Sequence, residues 1–163
     1  MSLKNKKAQA WGFDLIMASM IFIAGILVFY LYTLNIPNQA ENIINTLNYE
    51  GNIISDSLLS AGFPENWNNT NVISPGILSN NKINQTKLER FYNLSTSQYV
   101  LTKNLFNTKY QYYISTTPEN LTIEGSEIPG MGSFPLNPES LIKITRVTIY
   151  EEKPITFNIY IWE

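Results

Sequence analysis

From Leu15 through Leu34 the chain runs twenty residues without a charged side chain. Wound as a helix, such a run rises about 30 Å, the thickness of a bilayer's hydrocarbon core. Its flanks are unequal. Lys4, Lys6 and Lys7 precede it, and no basic residue follows until Lys82. The excess of positive charge on one side sets orientation, so a single pass is expected. The N-terminus then lies in the cytoplasm and everything after about Asn35 lies outside the cell membrane. Trp11 and Phe13 read as aromatic anchors at the interface. Ala18, Ser19, Ala24 and Gly25 are small enough to let a second helix approach. Asp14 sits at the cytoplasmic edge, where a carboxylate reaches the headgroups at little cost and the positive helix terminus favours it. An alternative use for Asp14 is as a charge partner for another subunit.

Beyond this run the chain is long enough for one domain. From Glu41 onward it carries eight Lys or Arg and twelve Asp or Glu, a net charge of −4. A mildly acidic exterior argues against nucleic acid and against adhesion to an anionic membrane surface. Cysteine and histidine are both absent. That removes disulfides, thiolate metal sites, cysteine nucleophiles and Ser-His-Asp chemistry, along with the commonest general base and metal ligand. No enzyme activity, no cofactor and no metal are expected.

The N-terminal pattern carries a further reading. An ordinary secretory signal has a shorter apolar region that ends at a small-residue cleavage site. Here Asn35-Ile36-Pro37 follows the run, and the small residue, Ala8, precedes it. Lys7-Ala8-Gln9, a short gap, an acid and a long apolar helix resemble the class III signal peptide of archaeal type IV pilins. The resemblance implies cleavage by a prepilin peptidase between Ala8 and Gln9, leaving the helix on the mature protein. Many family members carry an acid at the fifth mature residue; here Phe13 holds that place and Asp14 is the sixth. Leu58 to Trp67, Thr86-Lys87-Leu88 and Phe91-Tyr92-Asn93-Leu94 also resemble stretches seen in archaeal class III signal proteins. Those stretches imply kinship over most of the chain and no chemistry.

Pro37 predicts a kink or break near Asn35-Ile36, because the residue before proline avoids helical geometry. An amphipathic helix follows to about Ser60. Ile43, Leu47, Ile54 and Leu58 lie on its buried face beside Ile44 and Leu59, and Glu41, Glu50 and Asp56 face water. Gly62 and Pro64 stop it. Residues 65–85 read as loop with a short strand near Val72-Ile73. A short helix is expected from Thr86 to Tyr92. The Ser95-x-x-Gln98 capping box opens another, running to about Phe106. Leu88, Phe91, Tyr99, Leu101 and Leu105 belong to the core.

The later part is strand-rich. Residues 110–116 and 121–123 read as strands, and 124–139, with three prolines and three glycines, as a long exposed loop. Residues 141–150 and 155–162 form an antiparallel hairpin about a turn at 151–154, the second strand half-buried by its alternation. With 110–116 they make a sheet of at least three strands. The fold class is α+β: a long N-terminal membrane helix with an amphipathic extension, then a small head with short helices and an antiparallel sheet. The segments are a basic leader (1–8, otherwise a disordered cytoplasmic tail), the membrane or filament-core helix (9–36), the amphipathic helix (37–60) and an extracellular head (61–163).

Chemical motifs are sparse. Gly130-Met131-Gly132 precedes no helix and is read as loop, without a phosphate-binding role. Glu151-Glu152 falls in the expected turn, where solvation is the ordinary explanation. Glu124 and Glu127 share the long loop, where a solvated face is again the ordinary explanation ahead of a cation contact. Four glycosylation sequons, at Asn68, Asn84, Asn93 and Asn120, lie in the expected exterior. Twenty Asn and 26 Ser or Thr give about three by chance, so four are no excess. Two functions are expected. One is a pilin-like subunit, self-associating through Leu15 to Leu34 into a cell-surface filament or serving as its minor component. The other is a non-polymerising, single-pass surface protein whose head binds an envelope partner or ligand.

Overall fold

The computed structural model describes residues 4–35 and 39–163, with side-chain surroundings for 11–34 and 42–163. The chain divides into two units, Met1–Gln39 and Ala40–Glu163. The first is one helix, α1 (Lys4–Asn35). Its described part opens at Lys4, so Lys4 to Ala8 lie within the helix. Within α1 the Ser19 hydroxyl donates to the Ile16 carbonyl at 2.8 Å and Thr33 to Phe29 at 2.9 Å. Each hydroxyl is satisfied by its own helix and asks nothing of the surroundings. The described part of the helix runs to Asn35, and the break expected near Asn35-Ile36 falls at the edge of the described residues. Ile36 and Pro37 lie outside the described residues.

The second unit opens with α2 (Gln39–Leu58). Leu47, Gly51, Ile54 and Leu58 are buried and recur at helical spacing. Gly51 meets Ile144 and Ile161 of the sheet, and the missing side chain brings the helix onto the strands. Ile44 is exposed, against expectation, while Glu50 is half-buried and Asp56 faces water. The side chain of Glu41 lies outside the described residues.

Two short strands follow, β1 (Leu78–Ser79) and β2 (Lys82–Ile83), then α3 (Gln85–Ser97) and α4 (Tyr99–Leu105). The remaining strands are β3 (Gln111–Thr117), β4 (Leu121–Ile123), β5 (Ser126–Ile128), β6 (Met131–Gly132), β7 (Leu141–Tyr150) and β8 (Lys153–Trp162). Six form one sheet in the order β1-β2-β7-β8-β3-β6; β4 and β5 make a separate ribbon. All pairings are antiparallel except β2 with β7. The inner face carries Tyr112, Ile114, Ile144, Phe157, Ile159 and Ile161, all buried with the apolar stripe of α2. The architecture is therefore α+β, with a long apolar N-terminal helix and a head of short helices and a mostly antiparallel sheet.

Three hairpins turn on two residues each: Asn80-Asn81, Glu124-Gly125 and Glu151-Glu152. All six residues have positive φ, between 47° and 81°. That is the type I′ turn, whose twist matches the strands it joins.

Several sequence expectations are corrected. Helix α3 is continuous from Gln85 to Ser97, capped by the Asn84 side chain, which accepts from the Lys87 amide. Ser95 caps nothing; it is buried inside α3 and donates to the Tyr92 carbonyl. The chain bends at Gln98 (φ −137°, ψ 49°) before α4. This bend turns Leu101 outward and Phe106 inward, so Leu101 is exposed, Leu105 half-buried and Phe106 core. Val72-Ile73 is no strand; Ile73 is exposed, and the local pairing is a single bridge between Phe63 and Ser74. Residues 124–139 are not all loop, since β5 and β6 lie within them and Ile128 and Met131 are buried. Strand β8 is central and buried on parts of both faces. Its Asn158 accepts from Thr145 and donates to Thr117, each at 3.2 Å, which makes burial of the amide tolerable.

Candidate functional site

Residues Trp11–Leu34 form a helix long and apolar enough to cross a membrane, and none of it is buried in the chain. Seventeen large apolar side chains from Trp11 to Leu34 are exposed. Covering one such side chain gains about 1.5–3 kcal/mol. Leaving seventeen in water therefore costs tens of kcal/mol, more than the roughly 5–15 kcal/mol that holds an ordinary domain folded. The helix needs a covering phase, lipid or protein. Gly12 and Gly25 have open space where a side chain would stand, so a neighbouring backbone can come close there. Asp14 is exposed and makes no ion pair among the described residues. Lys7, Ala8 and Gln9 lie along the first turns of α1, and their side chains lie outside the described residues.

The four sequons differ in setting. Asn68 is exposed in a loop, where its side-chain oxygen accepts from the Thr70 amide and hydroxyl. Asn84 is half-buried and serves as the cap of α3. Asn93 is exposed on α3, yet its sequon hydroxyl, on Ser95, is buried. Asn120 is exposed beside Glu127, to which its amide donates at 3.3 Å.

Around the turn after α2, the stretches singled out in the sequence come together. The Trp67 indole N–H donates to the Gly76 carbonyl at 2.8 Å, and Arg90 Nη1 to the Trp67 carbonyl at 2.7 Å. Lys87 is buried, and its ammonium donates to the carbonyls of Ala61 and Leu78 at 2.9 and 3.0 Å. These contacts tie α3 to the end of α2 and to β1. They are backbone ties and carry no reactive group.

The polar hollows of the head offer little chemistry. One of about 540 Å3 is lined by Glu50, Asn104, Asn107, Thr108 and Lys109, with the Thr108 hydroxyl donating to the Glu50 carboxylate. Another, of about 390 Å3, is lined by Glu119, Asn120, Glu127 and Glu151 among others. Lys153 lies 2.9 Å from Glu119, and this hydrogen bond holds its ammonium above the ordinary lysine range. Among the described residues no three acids gather where they would hold a metal ion. Glu151 and Glu152 occupy a hairpin tip, Glu152 paired with Lys82 at 2.7 Å; Glu124 occupies another. Gly130-Met131-Gly132 runs into and through the edge strand β6.

Titration is perturbed among the tyrosines. Burial pushes the Tyr112 hydroxyl well above its usual value, against a hydrogen bond with Thr102 that lowers it. Burial also raises Tyr99, whose hydroxyl accepts from the Tyr112 amide at 2.9 Å. Tyr113 is raised by burial and by neighbouring Tyr160. Tyr113 and Tyr160 meet on the outer face of the sheet with Phe134, a cluster that the sequence reading did not assemble. Its one signal was two tyrosines at outward-facing positions of neighbouring strands.

Compared with known proteins, the chain matches no family model, no curated protein and no solved structure.

Proposed function

We propose that the chain is a pilin-like structural subunit. It is made as a precursor, cut between Ala8 and Gln9 by a prepilin peptidase, and held in the membrane by Trp11–Leu34. Its N-terminus is cytoplasmic and its head, modified at sequons, faces outward. Assembly then proceeds by exchanging lipid for protein around α1. The contact is head-to-tail between copies, the geometry that yields an open helical filament. The observation that carries this reading is α1 itself, continuous from Lys4 and uncovered along its whole apolar length. A helix of this kind is satisfied by a bilayer before assembly and by other copies of itself afterwards. No catalytic role is assigned to the head.

A second reading, an anchored surface protein that never polymerises, is favoured by one observation. Phe13 stands at the fifth residue after the proposed cut, and the acid, Asp14, at the sixth. One experiment separates the two. Mass spectrometry of the N-terminus from the native membrane, beside electron microscopy of cells carrying the wild type and an Ala8→Phe variant, is the test. A chain opening at Gln9, with filaments lost in the variant, is the expected result. An intact Lys4-Lys6-Lys7 head would overturn the pilin reading; a processed chain without filaments would support the second.

A further inference from the structure

The end of the head at which α2 begins carries large apolar side chains that the domain leaves uncovered. Contacts along α2 identify that end. Gly51 meets Ile144, and Arg146, two residues on, donates to Ser55. Beyond them the Ile77 amide, just before β1, donates to the Leu58 carbonyl. Helix α2 therefore runs parallel to β7, and its first turns lie at the end of the sheet where Leu141, Trp162 and Gln111 are paired. The loop from β6 to β7 closes the same end. Its Ser133 amide donates to the Tyr112 carbonyl at 3.0 Å, and its Glu139 amide to the Glu163 carbonyl at 3.2 Å. Within this loop Phe134 is 62% exposed and Leu136 80%. Ile44 shares the stripe of Leu47 and Gly51, three and seven residues on, yet it is exposed while they are buried.

The length of chain before α2 says what covers this end. Aromatic residues gather at both interfaces of a bilayer. Tyr30 and Tyr32 follow Trp11 by 19 and 21 residues. As helix that is about 28–32 Å, the hydrocarbon thickness, so the outer interface falls at the two tyrosines. Asn35 stands about 4.5 Å beyond Tyr32 along the helix. Gln39, where α2 opens, is four residues further, at most about 14 Å of extended chain. That end of the head is thus tethered within roughly 20 Å of the hydrocarbon, and headgroups fill about 5–8 Å of the gap. Lipid is the one apolar phase that chain length alone keeps in reach. Charge favours neither sign of lipid. Lys109 and Lys143 stand at this end beside Glu139 and Glu163.

We propose that this end of the head docks on the outer surface of its own membrane, with Phe134 and Leu136 inserted among the headgroups. The inference rests on the membrane placement of Trp11–Leu34 proposed above. Insertion is apolar and independent of salt. The contact exists only while the chain stays in the bilayer and is lost when a subunit leaves it, so it favours the unassembled state.

The chain has no cysteine, so single introduced cysteines take a spin label at one site each. The test uses the full chain, one copy per phosphatidylcholine nanodisc. Depth is read from collision of the label with oxygen, which concentrates in lipid, against collision with a water-soluble nickel complex. Leu136→Cys and Phe134→Cys should favour oxygen, at low and at high salt. Ile73→Cys, an exposed position by the far end of α2, should favour nickel. Adding Phe134→Ser to labelled Leu136→Cys should restore part of the nickel collision. Circular dichroism checks that each variant is folded. Nickel collision at Phe134 and Leu136 equal to that at Ile73 overturns the proposal, as does protection lost in high salt. So does protection that appears only with two or more copies per disc, which assigns the face to another copy. A label at Phe22→Cys separates the two readings. Lipid exposure there with water at Leu136 overturns the docking alone; water at Phe22 overturns the membrane placement as well.

Discussion

Gly62 and Gly76 meet backbone to backbone. A side-chain carbon on Gly62 would lie 2.6 Å from the Gly76 amide nitrogen and 2.8 Å from the Ser74 carbonyl; one on Gly76 would overlap the Gly62 amide. Gly62 also has φ +75°, a region costly for any residue with a side chain. Because the opposing atoms are backbone, neither can swing aside. Gly76→Ala should therefore destabilise the head by about 3 kcal/mol, the upper part of the range for overpacking. Urea unfolding of the full chain in detergent, followed by tryptophan fluorescence, measures this directly, because Trp67 packs against the same turn.

This turn shows what a sequence can and cannot disclose. Gly62 and Pro64 announced the end of α2 by chemistry local to the chain. Gly76, fourteen residues later, carried no signal of its own, since its need for hydrogen comes from Gly62 across the fold. Lys87 is similar. A lysine on a helix is read as solvated, and only the Ala61 and Leu78 carbonyls, brought together by tertiary contacts, explain its burial. Period-2 alternation made β8 legible, aromatic and β-branched content made β3 legible, and the apolar run made α1 legible. The capping residue of α3 was missed because Ser95 and Gln98 offered a stronger local pattern than Asn84. The turn Glu124-Gly125 was also readable, since glycine favours a type I′ turn, but the surrounding prolines suggested loop. The aromatic cluster of Tyr113, Tyr160 and Phe134 depends on register between strands, which composition does not fix.

Alkaline unfolding should report on Tyr112. Its hydroxyl is buried against Thr102, and burial holds the proton beyond the pH near 10 at which an unfolded tyrosine ionises. Below pH 10 both states are protonated and the stabilisation is complete. Above it, the unfolded chain has released a proton that the folded chain keeps, so stability falls as pH rises. Tyr112→Phe should cost about 1 kcal/mol at pH 7 through the lost hydrogen bond. It should also flatten the loss of stability above pH 10. Denaturant midpoints between pH 7 and 11.5 check both; an unchanged alkaline slope would assign the effect to other groups.

Exported through an N-glycosylating compartment, the chain should carry glycan at Asn68 and Asn120. Asn84 should remain bare because it is half-buried and caps α3, and Asn93 because the hydroxyl of its sequon is sealed inside the helix. Glycopeptide mass spectrometry reads the four sites separately. Glycan on Asn93 would mean that modification acts on the chain before α3 forms.

Gly51 tests the seam between α2 and the sheet. A side-chain carbon there would stand 2.5 Å from Ile144 Cδ1 and 3.1 Å from Ile161 Cγ2. Two effects oppose each other in Gly51→Ala. Alanine favours the helix by about 1 kcal/mol over glycine, whereas overpacking costs about 1–3 kcal/mol. The obstacle is the end of a side chain, which can rotate, but Ile144 is buried in the core and has little room. The net expected loss is about 1 kcal/mol. Shortening Ile144 removes the clashing methyl, so Ile144→Val alone should cost about 1 kcal/mol through its cavity. The double variant should be more stable than the two losses summed, because the new methyl fills the space that the old one vacates. Denaturant unfolding of the four chains in a double-mutant cycle gives the coupling. A coupling energy near zero would show that α2 shifts away from β7 and that Gly51 does not set the distance between them.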